Sequence, residues 1–483
     1  MSQSNVIKVL ISILLIRSEA KRKASVAIVG SGLGGASTAY WLQQEFKEAI
    51  DITVFERENR VGGRMEHMMI GNNTYELGAA IYVSGNKYVS EFVELMGLES
   101  AAPSHVGNTF GLYDGNKILY KSGKLGALLR YGPRALNRLR STVLDFFGKF
   151  EQIYTLQNAK QYFFTPQELW QALGLWNYTL QSFDSFLRHE KLVQNRGAER
   201  LIDELTFAMN RVNYNQGNEI NALTGSVSMC PAVAGQKVLA IRQGNSQLAQ
   251  RLLANTTLRL NERVLELTAD GDLITANTRQ HYDAIILAAP LDTSDITLTA
   301  SAAHEAYSMI QKYQKRPFQT TYTTFISGSC PVLNKSKLSS LFIVAHMIKP
   351  FPASSLSTLG SWNNATSIFK LFSRHPLEDA ELDDIFDSGW SRLATKHWPA
   401  AYPKLEPFQQ DQQLLPFQLS DQLFYVNTLE FATSALEIAA IAGRNVALLT
   451  ADSLQRRRLI ESPSSLHSKD CNYDSHATCT SRA

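Results

Sequence analysis

The sequence predicts an α/β fold: a Rossmann-type βαβ unit opens the chain, and an α+β domain made of a helical insertion and a mixed sheet follows it. Three observations carry this. First, the apolar run in "VAIVGSGLGG" (Val26–Gly35) stops at clustered glycines and is followed by the small-residue run "ASTAYWL", the pattern of a strand turning sharply into a helix. Second, residues 125–210 switch to apolar positions at helical spacing, Leu136, Leu139, Val143, Phe146, Phe150 and Ile153. Third, short β-like runs return from residue 257 onward. A chain of 483 residues, 44% hydrophobic and 19% charged, has ordinary globular composition and ample material for a large core. The formal net charge of +3 is small, and no Lys/Arg stripe interleaves with aromatics, so nothing suggests a nucleic-acid partner.

Taken in order, Lys8 precedes the apolar run Val9–Ile16, and "RSEA" with Ser18 and Ala20 follows. Residues 1–20 therefore read as a secretory signal peptide cleaved after Ala20. That run is too short to span a bilayer, which needs roughly 20 apolar residues. No later segment qualifies, so the mature chain is expected to be soluble or at most membrane-associated. Five Asn-x-Ser/Thr sequons, at Asn72, Asn177, Asn255, Asn334 and Asn364, suit a secretory route, with Asn177 and Asn364 the better glycosylation candidates. The four cysteines, Cys230, Cys330, Cys471 and Cys479, form no Cys-x-x-Cys, and their spacing assigns no pairing.

Ser25–Val29 is the first strand, Ala36–Phe46 the helix and Asp51–Phe55 the second strand. The segment Phe146–Phe186 holds twelve aromatics in 41 residues, about three times the chain average, and is either plain helical core or the wall of an apolar slot. "TLRLNERVLEL" and "LITANT" read as strands around an "ADGD" turn, and "HYDAIILAAP" as a buried strand. Residues 318–327 and 341–348 read as strands of a second sheet. "LFYVN" leads into a long small-residue helix, "SALEIAAIAGRNVALL". The polar stretch from Gln455 reads as a disordered tail.

The chemistry begins at Gly30-Ser31-Gly32-Leu33-Gly34-Gly35. Gly30 allows the tight turn, Gly32 lets a pyrophosphate approach the backbone, and Gly35 lets helix and strand pack closely. The helix N-terminus offers free N–H groups to the phosphate. Glu56 ends the second strand 26 residues after Gly30, where a carboxylate accepts ribose hydroxyls and repels a 2′-phosphate. Arg57 follows it and would favour NADP, but the carboxylate argues for a cofactor without that phosphate. "RENRVGGR" then places Gly62, Gly63 and Arg64 beside the turn, a second glycine pair for a long dinucleotide, with Arg64 a fixed cation for phosphate or flavin oxygens. "YELGAA" (Tyr75–Ala80) supplies small residues where a flavin ring can pass.

The run Val26–Tyr82 resembles the flavoprotein family of amine oxidases, phytoene desaturases and GDP-dissociation inhibitors, with Glu76 where many members carry Asp. This resemblance implies FAD as cofactor and an FAD domain of the GR2 type that is discontinuous. Its parts would be residues 24–110, 236–295 and 416–454, with a mainly helical insertion at 111–235, a substrate-domain sheet at 296–415 and the tail at 455–483. It also implies that Val264 meets the adenine end through its backbone, that "YDAIILAAP" closes the nucleotide sheet, and that the last helix brings Glu430 near its start, packed closely through Ala432, Ser434, Ala435 and Gly443. No second G-x-G-x-x-G, Cys-x-x-Cys, H-E-x-x-H or Cys/His cluster occurs, so NADPH, disulfide and metal chemistry find no signature. An oxidase using O2 is the simplest flavin enzyme left.

Within that family, "MNRVNYNQGNEINALTGSVSM" (Met209–Met229), "KHWPAAYPKLEP" (Lys396–Pro407) and the segment from Leu423 resemble prenylcysteine oxidases, also called prenylcysteine lyases. The likeness runs from about Ser25 to Leu449 and departs at Gln243-Gly244-Asn245, where that family has Gly-Gly-Asn. It implies cleavage of an S-prenyl-L-cysteine (farnesyl or geranylgeranyl) with O2 and water to cysteine, prenyl aldehyde and hydrogen peroxide, and it implies the lysosome. Arg211 and Asn213 become candidates for anchoring the zwitterionic cysteine end, and catalytic residues stay unassigned. Another amine-oxidase-like flavin oxidase, or a prenyl-binding relative without activity, are the alternatives.

Overall fold

The computed structural model describes residues 22–103, 109–192, 195–233, 235–362, 366–409 and 414–460. The expected signal peptide, Asn364, Cys471, Cys479 and most of the expected tail lie outside these residues. Cys230 and Cys330 are buried free thiols.

The strand–turn–helix reading of the N-terminus holds. Ala24–Val29 pairs in parallel with Ile50–Phe55 on one side and Ala284–Leu287 on the other. The helix between the first two strands runs Leu33–Phe46, three residues earlier than the small-residue run suggested, because Gly34 and Gly35 are already helical. The five-stranded parallel sheet is completed at its edges by Thr257–Arg259 beside Ile50–Phe55 and by Leu423–Tyr425 beside Ala284–Leu287. The strand in "YDAIILAAP" was expected to close this sheet; instead it lies inside, and Leu423–Tyr425 closes it. All four residues of Ala284–Leu287 are buried, as a strand covered on both faces must be.

"TLRLNERVLEL" is not one strand. Asn261 takes a left-handed conformation, φ +56°, and breaks it. Thr257–Arg259 stays in the parallel sheet, while Val264–Thr268 joins a separate four-stranded sheet. The break carries Glu262 N–H onto the Glu56 carbonyl, at 2.9 Å.

The second domain is built on a seven-stranded mixed sheet. Its centre is the antiparallel set Ser391–Pro403, Phe318–Gly328, Ser367–Ser373 and Ala353–Ser361. Ser340–Ile343, shorter than the expected 341–348, adds Phe110–Tyr113 in parallel. Beyond Ile343 the backbone turns away and Ala345 N–H bonds Asp203 instead. The insertion is helical, led by Pro133–Phe150, whose Leu139, Val143, Phe146 and Phe150 form one buried stripe. Its aromatics are core: Phe150 meets Trp170 at 6.4 Å and Tyr178 meets Phe186 at 4.8 Å between ring centres.

The C-terminal helix, Leu436–Arg456, returns to pack on Leu33–Phe46. The contact is backbone-close: a Cβ on Gly443 would stand 2.6 Å from the Gly34 carbonyl oxygen. This helix also enters the stretch read as tail, because Leu454 is fully buried and Arg456 pairs with Asp452 and Asp421.

Candidate functional site

A cavity of about 580 Å3 runs from the glycine turn to the large sheet. The turn needs its glycines for different reasons. Gly30 has φ +110°, and a Cβ there would lie 2.9 Å from the Ala288 carbonyl oxygen. A Cβ on Gly35 would lie 2.2 Å from the Gly30 carbonyl oxygen, so helix and strand touch through it. Gly32 is different: a Cβ there meets nothing within 4 Å, because that face of the turn opens into the cavity. Gly34 and Gly63 line the same space, and Gly63 packs against Gly32.

Glu56 is buried at the cavity edge. One carboxylate oxygen accepts from Ser31 N–H at 3.0 Å and Ser31 Oγ at 2.7 Å, and the other accepts from Glu58 N–H at 3.0 Å. This fixes the turn to the end of the second strand and leaves the carboxylate's fourth lone pair, on the oxygen bound by Glu58, for a ligand. Arg57 and Val264 line this end too, Val264 buried at the start of its strand.

Arg64 and Glu430 come together as an ion pair on the cavity wall, a pairing the sequence did not suggest. Arg64 also donates to the Ala401 carbonyl at 3.0 Å. Burial pushes its guanidinium pKa down, and Glu430 more than offsets this, so Arg64 is held above its ordinary value. Glu430 further accepts from Asn427 Nδ2 and Ser434 Oγ.

The Leu77–Ala80 segment lines the cavity, and side chains of the surrounding elements hold its backbone. Thr323 Oγ1 and Trp398 Nε1 both donate to the Leu77 carbonyl, at 2.9 and 3.0 Å. Asn245 Nδ2 donates to the Ala79 carbonyl at 2.8 Å. Lys370 Nζ donates to the Glu76 carbonyl at 2.6 Å. Burial drives the Glu76 carboxyl up to about 7 and the Lys370 ammonium down to about 8. The departure at Gln243 falls on an exposed residue. The glycine that matters, Gly244, remains: it has φ +107°, and a Cβ would meet the His67 ring at 2.3 Å.

Two helix N-termini border the cavity, at Gly32–Leu33 and Ala435–Leu436, and neither has a side-chain cap. Their orphan N–H groups are left for the oxygens of a ligand. With a glycine face open to a pyrophosphate, a carboxylate at the ribose position and a second helix start near the large sheet, the residues fit FAD.

The substrate candidates separate. Asn213 lines the cavity and donates to the Ser228 carbonyl and Oγ. Arg211 does not line it. It reaches Ser354 Oγ at 3.0 Å in a buried polar cluster, where burial lowers its pKa to about 10. The idea that the Phe146–Phe186 aromatics wall a slot is also corrected. None lines the cavity; the insertion contributes Asn213, Tyr214, Val227, Ser228 and Pro231 instead. Residues missed from sequence are Thr321, Thr323 and Phe372 of the large sheet, and the pair His397 and Tyr402. The segment "KHWPAAYP" (Lys396–Pro403), which carries part of the family likeness, is the sequence signal for the last two.

Comparison with known proteins agrees with this geometry. A family model described as prenylcysteine lyase matches residues 119–461, more than half of the chain, and one described as an NAD(P)-binding Rossmann-like domain matches 28–94. A farnesylcysteine lyase of Arabidopsis thaliana is 29% identical over 491 residues, covering 94% of this chain and 93% of the relative. Prenylcysteine oxidase 1 of Mus musculus is 29% identical over 461 residues, covering 88% of each chain. Among solved structures, a redesigned putrescine oxidase superposes with a TM-score of 0.61 at 14% identity, covering 90% of this chain and 99% of the other, a likeness of fold.

Proposed function

The chain belongs to the prenylcysteine lyase family, and from that premise we propose that it is an FAD-dependent thioether oxidase acting on S-prenyl-L-cysteine. The overall change is a prenyl thioether plus O2 and water giving free cysteine, prenyl aldehyde and hydrogen peroxide. Bound FAD supplies the chemistry of accepting a hydride equivalent from the carbon attached to sulfur and passing both electrons to O2. That carbon is allylic and next to sulfur, so the cation left behind is stabilised from both sides.

The observation that carries the reading is the single cavity that joins the dinucleotide turn to the large sheet. Where the large sheet and insertion line it, the residues include Thr321, Thr323, Phe372, Tyr214 and Tyr402, with Lys396 and His397 on the same wall. Burial holds both tyrosines above their ordinary pKa, so they stay protonated and act as donors rather than bases. This suits a reaction whose carbon–hydrogen cleavage needs no strong side-chain base. Phe372 and the aromatic edges of the tyrosines exclude water and suit an isoprenoid, while Asn213, Ser228 and Thr321 offer hydrogen bonds to the amino-acid end.

The test is comparative. Purified protein with a flavin band near 450 nm is assayed for peroxide with S-farnesyl-L-cysteine, S-geranylgeranyl-L-cysteine, putrescine and cyclohexylamine. Turnover of the thioethers alone is expected; turnover of an amine alone would overturn the assignment in favour of an amine oxidase.

A secretory route ending in the lysosome is part of the same proposal. Its supports are the Lys8–Ala20 pattern, the family likeness, and the exposure of Asn72, Asn177, Asn255 and Asn334. A glycosidase-induced mobility shift of protein from secretory cells is expected, and no shift together with a cytosolic distribution would sink it.

A further inference from the structure

The short helix Lys124–Tyr131 presents leucines to solvent. Leu125 is 71% exposed, Leu129 80% and Leu128 45%. They stand at i, i+3 and i+4, hence on one face of the helix. A single exposed leucine is ordinary, but three sharing a face on one short helix form a patch that soluble surfaces seldom leave uncovered. The helix is held from its other side: Tyr131 is buried, and Arg130 reaches inward to Glu204 through two hydrogen bonds of 2.5 and 2.7 Å. The leucine face therefore stays outward by construction.

Charge identifies the occupant. No Asp or Glu occurs from Gly115 to Leu144. Lys124 beside the leucines, and Arg134, Arg138 and Arg140 on the helix that follows directly after Gly132, are all exposed and stand in no ion pair among the described residues. Arg134 and Arg138 are one turn apart and share a face. Apolar side chains flanked by unpaired basic ones are complementary to a lipid surface that is anionic at its headgroups and apolar beneath. No helix among the described residues is long and apolar enough to cross a membrane, so attachment would be from one side.

We propose that Lys124–Tyr131, with the arginines of the following helix, docks the protein onto the surface of an anionic bilayer, Leu125 and Leu129 entering the interface. This stands on the surface alone and does not depend on the oxidase reading.

The test is flotation of the purified protein with vesicles of phosphatidylcholine, with and without phosphatidylserine. Three proteins are compared: wild type, Leu125→Ser/Leu129→Ser, and Arg134→Gln/Arg138→Gln/Arg140→Gln. Wild type is expected to float with the serine-containing vesicles, less so as salt rises, and to stay behind with phosphatidylcholine alone. Each variant is expected to lose about tenfold or more of that partitioning. Because all five side chains are exposed, thermal unfolding should be unchanged, which separates lost docking from lost folding. Wild type that ignores anionic vesicles, or variants that bind them as wild type does, would overturn the proposal. A wild-type dimer broken by the leucine variant, with no vesicle binding, would overturn it in favour of a second copy of the chain.

Discussion

Gly32 and Gly35 are three positions apart in one motif, yet the structure gives them opposite sensitivities. At Gly35 a side chain collides with the Gly30 carbonyl oxygen, 2.2 Å away, so Gly35→Val should yield little soluble protein. At Gly32 the protein has room and only the cofactor's path is blocked. Gly32→Val should therefore accumulate as soluble, folded protein, melting lower than wild type by what bound FAD contributes, and show no flavin absorbance near 450 nm; retention of the band would refute a pyrophosphate path over Gly32. Glu56→Ala, which strips a buried acceptor of three hydrogen bonds, should weaken FAD retention about tenfold or more, read by fluorescence titration. These roles were legible in the sequence because each rests on local backbone geometry or on the end of an adjacent strand. Arg211 was not. Its neighbours Ser354 and Arg374 are far away in the chain, and only the fold shows that it faces them and not the cavity. Arg211→Ala is accordingly expected to leave KM for S-farnesyl-L-cysteine unchanged while lowering stability; a large rise in KM with normal stability would restore it as a substrate anchor.

The C-terminal helix does two jobs through one residue. Glu437, in its first turn, is buried and accepts from Tyr88 N–H and Val89 N–H at 2.9 and 3.0 Å, capping the helix Lys87–Leu95, and from the Tyr154 hydroxyl at 2.8 Å. Burial raises its carboxyl to about 7, with the three donors opposing that rise. Between an ordinary carboxylate value and about 7, the unfolded chain releases this proton while the folded chain keeps it, so stability falls as pH rises across that window. Buried Glu76, also raised to about 7, adds in the same direction. Urea midpoints should decline from pH 5 to 7 in wild type and decline less in Glu437→Gln; parallel slopes would exclude Glu437 as a source. Elements of this kind were partly readable. The glycine-turn helix and Pro133–Phe150 announce themselves through periodicity, whereas the break at Asn261 that splits 257–268 between two sheets leaves no periodic trace.

Across the molecule, the parallel sheet holds the dinucleotide turn, the large sheet faces it, and the cavity lies between them. The discontinuity of the nucleotide sheet followed from family likeness, since strands at 24, 257, 284 and 423 are united only by pairing. The aromatic richness of the insertion was visible, but not its purpose: composition alone does not distinguish rings that pack on one another from rings that line a slot. The structure assigns them to the core and gives the cavity wall to Asn213, Tyr214 and the large sheet. What most needs testing is oxidation of a prenyl thioether by flavin held in this cavity. The most direct measurement is anaerobic mixing of the flavin-loaded protein with S-farnesyl-L-cysteine, followed by admission of O2. Bleaching of the band near 450 nm is predicted before O2 enters, then its recovery with one peroxide and one farnesal per flavin reduced; a band that S-farnesyl-L-cysteine leaves intact would contradict the claim.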